Sequence, residues 1–433
     1  VMPDDARLVS VSMRKLSGEV LLSLDVPRHT TIIQLKNKIE EHWDVPPECQ
    51  KLIFGATILE HADQLLSHCS DQDTELSLTL LVSLDVVLGD LKSPKAQARA
   101  DALRVLAGLG YKGGRDSVDA ALACLEDLEG MVRRRAVEAL LEVVPRGDPE
   151  TVKAVCARLE HMNADMRLTA VDALGSVVDR GNDDAAVDMV AALLRHRREE
   201  VRWTAVDALK QVTVPGQAHA IQTVGAMMKN PSRDVRITAI HALTKLVRKG
   251  DKRAFEILRG IVTDANAGVR HAGVAAVGAL AQQGDRDALS LVNEKLQDKD
   301  EDVRCAAVRA YVALGNRYVD PVLPTLFACL KDPHRDVRCA ALYELTFLAR
   351  KRDQRLMTAA MTLLVEDRDR SVKTLAAKVL FHHMGEKAME MLREVNMERI
   401  WADAQEMEPL TNPVAGGKAA SKMLGVMGSR GLG

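Results

Sequence analysis

Aromatic side chains are nearly absent: 433 residues include five Phe, four Tyr and three Trp, 3% of the chain. A core without them must be built from Leu, Val, Ala and Ile, and closely packed helices suit such a core better than a β-sandwich does. Paired cysteine spacing is missing as well. The seven thiols, at 49, 69, 124, 156, 305, 329 and 339, are odd in number and form no Cys-x-x-Cys. That reads as reduced thiols in an intracellular, cytoplasmic compartment rather than a disulfide framework. There is no secretory h-region and no apolar run long enough to cross a bilayer, so membrane insertion is not expected. Val1 stands where an initiator Met is expected, so the start is read as processed or incomplete. The net charge of −2 offers no general attraction to nucleic acid or anionic membrane.

That small net charge hides an asymmetry. Residues 1–84 carry 7 Lys+Arg against 13 Asp+Glu, and the remainder 52 against 48. Two modules are implied, and the slight basic excess of the longer one is too dilute to argue for a nucleic-acid partner.

What the chain has in abundance is self-similarity. An apolar residue followed by Arg, then in most copies Ala four and seven places after the apolar residue, recurs as Val132-Arg133, Met166-Arg167, Val201-Arg202, Val235-Arg236, Val269-Arg270, Val303-Arg304 and Val337-Arg338. Weaker copies stand at Ala98-Arg99 and Val372-Lys373. The basic residues are spaced 34 or 35 apart throughout. Apolar groups at 0, +4, +7 and +8 form one face of a helix. A glycine break follows, as at Gly147-Asp148 or Gly250-Asp251, then a second apolar stretch and a short polar turn into the next copy. Such a pair cannot bury its apolar face alone, so neighbours must stack.

A period near 34 is shared by tetratricopeptide and ankyrin repeats, but their Trp, Tyr and Thr-Pro-Leu-His landmarks are missing. The unit resembles the HEAT repeat, whose pattern places Asp six residues before Arg: Asp127/Arg133, Asp264/Arg270, Asp298/Arg304 and Asp332/Arg338 match, whereas His161, His196 and Asn230 depart from it. The resemblance covers roughly residues 85–392. The column Arg133, Arg167, Arg202, Arg236, Arg270, Arg304 and Arg338 reads either as a basic stripe or, as stacking at one fixed repeat position requires, as a structural inter-repeat ladder, which the three departures interrupt.

Residues 8–82 do not follow the period. Val9, Val11 and Met13 alternate with polar residues as a half-buried strand does, and a helix through Leu35 and Ile39 is stopped by Pro46-Pro47. The run TTIIQLKNKIEEHWDVPPECQKLIFGATILE, with DTELSLTLLV after it, resembles ubiquitin. The family's partner-binding patch maps to Leu16, Ile53 and Thr79, with Thr79 in place of an aliphatic residue and Ser77 in place of a His. No free Gly-Gly follows the last strand, and Thr57 and Gln72 stand where chain-forming lysines would be. The resemblance implies a built-in recognition domain rather than a modifier.

The expected fold is therefore mainly α: an α-solenoid of about nine 34-residue helix pairs behind a small α+β β-grasp domain. The boundaries read 7–83 for the ubiquitin-like domain, 84–392 for the repeats, 393–408 for a C-terminal capping helix and 409–433 for a flexible tail.

Catalytic signatures are missing as well. The twelve histidines include no His-Glu pair and no metal-ligand spacing, and phosphate-loop and nucleophile-elbow motifs are absent. No cofactor is expected. HEAT-like enzymes of the DNA-glycosylase and bilin-lyase kinds imply an acid or a thiol on the concave face, for which Asp172, Asp207, Cys305 and Cys339 are the candidates. That is the third-ranked reading.

In HEAT arrays the Arg helix lines the concave surface, which puts positions +2, +3 and +6 toward a groove. Leu168, Trp203 and Ile237 are three successive large apolar residues at +2, followed by His271, with Asp172, Asp207 and His241 at +6. They point either to an apolar, acid-edged groove for a helix or extended peptide or to packing between adjacent helices; a shift of one residue in helix phase separates the two. The leading expectation is a non-enzymatic adaptor: the groove holds a protein client and the ubiquitin-like domain docks to a receptor, in protein turnover. The runner-up is an assembly scaffold in which that domain caps the first repeat.

Overall fold

The computed structural model describes residues 8–68, 74–315, 322–394, 398–407 and 410. The expected tail at 409–433 lies outside the described residues apart from Leu410. The chain divides into two compact units, Val1–Val214 and Pro215–Gly433.

The first unit opens with β1 (Leu8–Arg14), β2 (Val20–Pro27), α1 (Ile32–Trp43), β3 (Gln50–Phe54), β4 (Thr57–Ile58) and β5 (Glu75–Val82). The sheet order is β2-β1-β5-β3-β4, with β1 and β5 parallel. Val9, Val11 and Met13 are buried on the helix side with Leu35, Ile39, Leu52 and Leu78, the half-buried face that their alternation demands. Thr31 and Gln34 form a reciprocal capping box at the start of α1. Asp44, at φ 49°, ends the helix in the left-handed region. The buried Gln50 side chain donates to Lys36 O and Val45 O, tying the helix end to β3.

Helix resumes almost at once. The first helices of the pairs are α2 (Asp85–Asp90), α4 (Gly114–Ala123), α6 (Pro149–Arg158) and α8 (Asp184–Ala192); the Arg helices are α3 (Ala96–Leu109), α5 (Gly130–Val143), α7 (Ala164–Val177) and α9 (Glu199–Val212). The second unit continues the alternation. Its first helices are α10 (Ala218–Ala226), α12 (Lys252–Ile261), α14 (Arg286–Lys295), α16 (Val322–Cys329) and α18 (Gln354–Glu366). Its Arg-type helices are α11 (Arg233–Leu246), α13 (Ala267–Leu280), α15 (Glu301–Leu314), α17 (Arg335–Leu348) and α19 (Arg370–Met384). In place of one helix over 393–408, two follow: α20 (Lys387–Glu394) and α21 (Glu398–Glu406), the latter tied to α19 through Arg370–Asp403.

The glycine breaks have a function beyond ending a helix. α5 ends at Val143, yet Gly147 lies further on, at φ +81°, and donates its N–H to Val177 O of the next Arg helix at 2.7 Å. Gly250 and Gly284 make the same bond to Leu280 O and Leu314 O. A positive φ at these turns is open chiefly to glycine. The Asp that follows caps the next helix: Asp148 accepts from Thr151 N, and Asp251 and Asp285 accept from the N–H groups two and three residues on.

Candidate functional site

The arginines at 99, 236, 270, 304 and 338 each do two things. One guanidinium nitrogen, Nη1, donates to the carbonyls five and six residues earlier, pinning the turn into its own helix: Arg270 donates to Asp264 O and Ala265 O, and Arg338 to Asp332 O and Pro333 O. The other edge reaches forward to the carboxylate of the following repeat. Arg99 grips Asp127 at 2.7 and 2.8 Å, Arg270 grips Asp298 at 2.9 and 2.7 Å, Arg304 grips Asp332 at 2.8 and 2.9 Å, and Arg338 grips Asp367 at 2.8 and 2.7 Å. Arg236 meets Asp264 in the same way. These are bidentate, charge-assisted pairs with both partners largely buried. Burial works to raise the Asp298 carboxyl, but the hydrogen bonds from Arg270 and the Asp300 N–H outweigh it and hold the group below the usual carboxylate range.

Arg133 and Arg167 keep only the first function. They bind their own turns through Asp127 O, Leu128 O, His161 O and Met162 O. Forward, where His161 and His196 replace Asp, Nε instead meets a hydroxyl, Thr169 Oγ1 at 3.2 Å and Thr204 Oγ1 at 3.3 Å. Arg133 also has Asp165 at 3.6 Å. Arg202 donates to His196 O and Arg197 O in the same way. The histidines preserve one half of the aspartate's role: His161 Nδ1 accepts from Asn163 N, and His196 Nδ1 from Arg198 N, as Asp298 Oδ1 accepts from Asp300 N. The turn survives the substitution and the bidentate inter-repeat pair does not.

The +2 column changes character between the units. In the first, Leu168 is 54% and Trp203 37% exposed. The Trp203 indole N–H donates to Glu199 Oε1 at 3.2 Å, which fixes the ring on its helix. Asp172 and Asp207, one turn further along α7 and α9, are exposed. In the second unit Ile237 and His271 are half-buried, His241 is exposed, and Cys305, Cys339 and Thr374 are buried.

Burial pushes the Cys305 and Cys339 thiols up to about 12, the opposite of what a nucleophile needs. Burial likewise draws His271 below its ordinary value. Among the described residues no three His, Cys, Asp or Glu side chains converge as a metal would require, and no helix is long and apolar enough to cross a membrane. One group the sequence reading missed is Glu344. It sits at +7, where Ala139, Ala173, Ala208, Ala242, Ala276 and Ala310 stand in other repeats. It is buried, and that burial raises its carboxyl to about 7, with Arg309 opposing the shift. The interruption of the alanine column was the available signal.

On the ubiquitin-like domain Leu16 is 79% exposed, and Ile53 pairs directly with Thr79 across β3 and β5, both half-buried. The domain is also attached to the first helix pair. Lys112 donates to Trp43 O and, at 3.4 Å, to Asp44 O, with its ammonium 5.9 Å from the centre of the Trp43 ring. Ser83 N donates to Cys49 O at 2.9 Å, and Lys51 pairs with Asp85 at the start of α2. None of these residues belongs to the Leu16–Ile53–Thr79 patch.

Comparison with known proteins agrees with this architecture. Residues 9–85 match the Ubiquitin family, and residues 152–220 and 273–345 match HEAT repeats. No curated protein matches the chain. Among solved structures, the crystal structure of a mutant of Kap121p is similar at 14% identity, over 75% of this chain and 44% of that one, with a TM-score of 0.43; a likeness at that level carries no argument. The chain thus carries a ubiquitin-family domain followed by a HEAT-repeat α-solenoid.

Proposed function

We propose that this protein is a non-enzymatic protein–protein interaction scaffold whose Arg helices carry the client-binding surface. The observation that supports it most directly is the exposure of Leu168 and Trp203 at one repeat position on neighbouring helices, beside the acidic Asp172 and Asp207. Large apolar side chains left in water at the centre of a helical face are characteristic of binding sites. Ile237, His241 and His271 carry the same role on the second unit. The ubiquitin-like domain, through Leu16, Ile53 and Thr79, offers a separate docking patch to a receptor, in the setting of protein turnover that its family implies.

The test is affinity capture from lysate with the intact chain and with a Leu168→Asp, Trp203→Asp variant whose circular dichroism and melting are unchanged. Specific partners are expected to disappear with the variant. An identical set of partners on both proteins would remove the groove from the proposal.

A second reading, an assembly scaffold with the ubiquitin-like domain as its N-terminal cap, is favoured by the Lys112–Trp43 and Ser83–Cys49 contacts. In NMR relaxation a cap tumbles with the repeats, whereas a tethered receptor-binding domain tumbles faster. Lys112→Glu should loosen a cap and leave a tether unaltered.

A further inference from the structure

The α7–α9 face is more selective than a general apolar groove. The exposed acidic residues of α7 and α9 are Asp165, Asp172, Glu199, Glu200 and Asp207, and the one exposed basic residue within these two helices is Lys210, with Arg197 exposed in the turn before α9. Asp165 has Arg133 nearby and Glu199 holds the Trp203 N–H. Asp172 and Asp207 make no ion pair among the described residues. They occupy equivalent positions on neighbouring helices, each one turn beyond an exposed apolar residue. The surface therefore presents two carboxylates and two apolar side chains in a repeated pair.

Resting on the scaffold reading above, we propose that this face binds an extended basic segment, with Lys or Arg side chains against Asp172 and Asp207 and apolar side chains against Leu168 and Trp203. The spacing follows from the fold. Packed helix axes lie about 8–10 Å apart, so the two carboxylates are separated by about one such step along the array. A polyproline-II chain rises about 3.1 Å per residue with three residues per turn. Its residues i and i+3 therefore share a face about 9 Å apart, matching the helix step. A segment crossing α7 and α9 with basic residues at i and i+3 satisfies both carboxylates at once, and the apolar residue between them meets the Leu168–Trp203 surface. Two opposite-charge contacts on an exposed face also make the binding salt-dependent.

Fluorescence anisotropy with two labelled peptides, Lys-Leu-Pro-Lys-Leu-Pro-Lys and Glu-Leu-Pro-Glu-Leu-Pro-Glu, tests this on the full chain. Both acidic side chains are exposed, so Asp172→Asn, Asp207→Asn should fold. Asp116→Asn, Glu150→Gln removes the same charge from first helices as a control. The expected result is binding of the basic peptide that weakens at least tenfold in the Asp172/Asp207 variant and with added salt, but not in the control. Equal loss in both variants would reduce the effect to diffuse attraction and overturn the proposal. Binding of the acidic peptide, or of neither, would overturn it too. The capture experiment with Leu168→Asp, Trp203→Asp then judges the scaffold reading separately, because it does not depend on the partner's charge.

Discussion

The rungs at Arg270, Arg304 and Arg338 and those at Arg133 and Arg167 begin from the same sequence phrase and end differently. In the first set each arginine closes on a carboxylate of the next repeat; in the second it ends on a threonine hydroxyl. The +2 residues also differ between some of these repeats: Cys305 and Cys339, on the helices of Arg304 and Arg338, are buried, whereas Leu168, on the helix of Arg167, is exposed. Repeats whose only task is to stack can have every position set by stacking. In the scaffold proposed above, Leu168 and Trp203 are the side chains assigned to a partner, and they stand on helices whose arginines lack the bidentate forward pair.

The sharpest way to break the comparison is to open a closed rung. Asp298→Ala strands the buried Arg270 guanidinium, and losing one member of a buried pair costs about 3–5 kcal/mol. Urea denaturation, with hydrogen exchange over 264–304 to localise the loss, should register it. A loss under about 1 kcal/mol would mean that the rungs contribute little.

Next in size is Glu344. Its folded carboxyl lies near 7 against an ordinary 4.5, so above pH 4.5 the unfolded chain gives up its proton while the folded one keeps it. Stability therefore falls as pH rises through 4.5 to 7 and levels off above, by about 3 kcal/mol at most. Glu344→Gln should abolish that slope and be the more stable protein at pH 8. Parallel pH profiles of the two urea midpoints would contradict it.

Closing an open rung should have a smaller effect. His161→Asp and His196→Asp restore a carboxylate where Arg133 and Arg167 can reach it, and each should gain about 1–2 kcal/mol, the scale of a hydrogen bond to a charged group. Slower amide exchange in the turns at 161–163 and 196–198 is the readout. Smallest is His196→Ala, which removes the bond from Arg198 N and the 3.4 Å contact of Nε2 with the exposed Glu160 carboxylate, and should cost about 1 kcal/mol or less. A loss equal to that of Asp298→Ala would erase the distinction between the two kinds of rung.

Much of this was legible in the sequence because it is periodic. The Arg helices, the turns between them and the interruption of the ladder at His161 and His196 all follow from residues recurring at fixed intervals. Less legible was what depends on how far neighbouring helices approach. Leu168 and Cys305 occupy one repeat position, yet one is exposed and the other buried, and no count along the chain distinguishes them. A glycine break in the sequence marks where a helix stops but not what the glycine does: Gly147 and Gly250 lie beyond the helix and bond the following repeat. The attachment of Trp43 to Lys112 spans two modules with no shared period, so nothing in the pattern announced it.

The forward reach of the arginine also bears on how such a chain lengthens. Donor and acceptor of each rung belong to different repeats, 28 residues apart at Arg270–Asp298 and 29 at Arg338–Asp367. A gene duplication that copies a whole unit therefore supplies an acceptor for the unit before it and a donor for the unit after it, wherever the breakpoints fall. A copy taken from the region of His161 or His196 would carry its missing carboxylate along, so both the weakness and the exposed face can be inherited as a block.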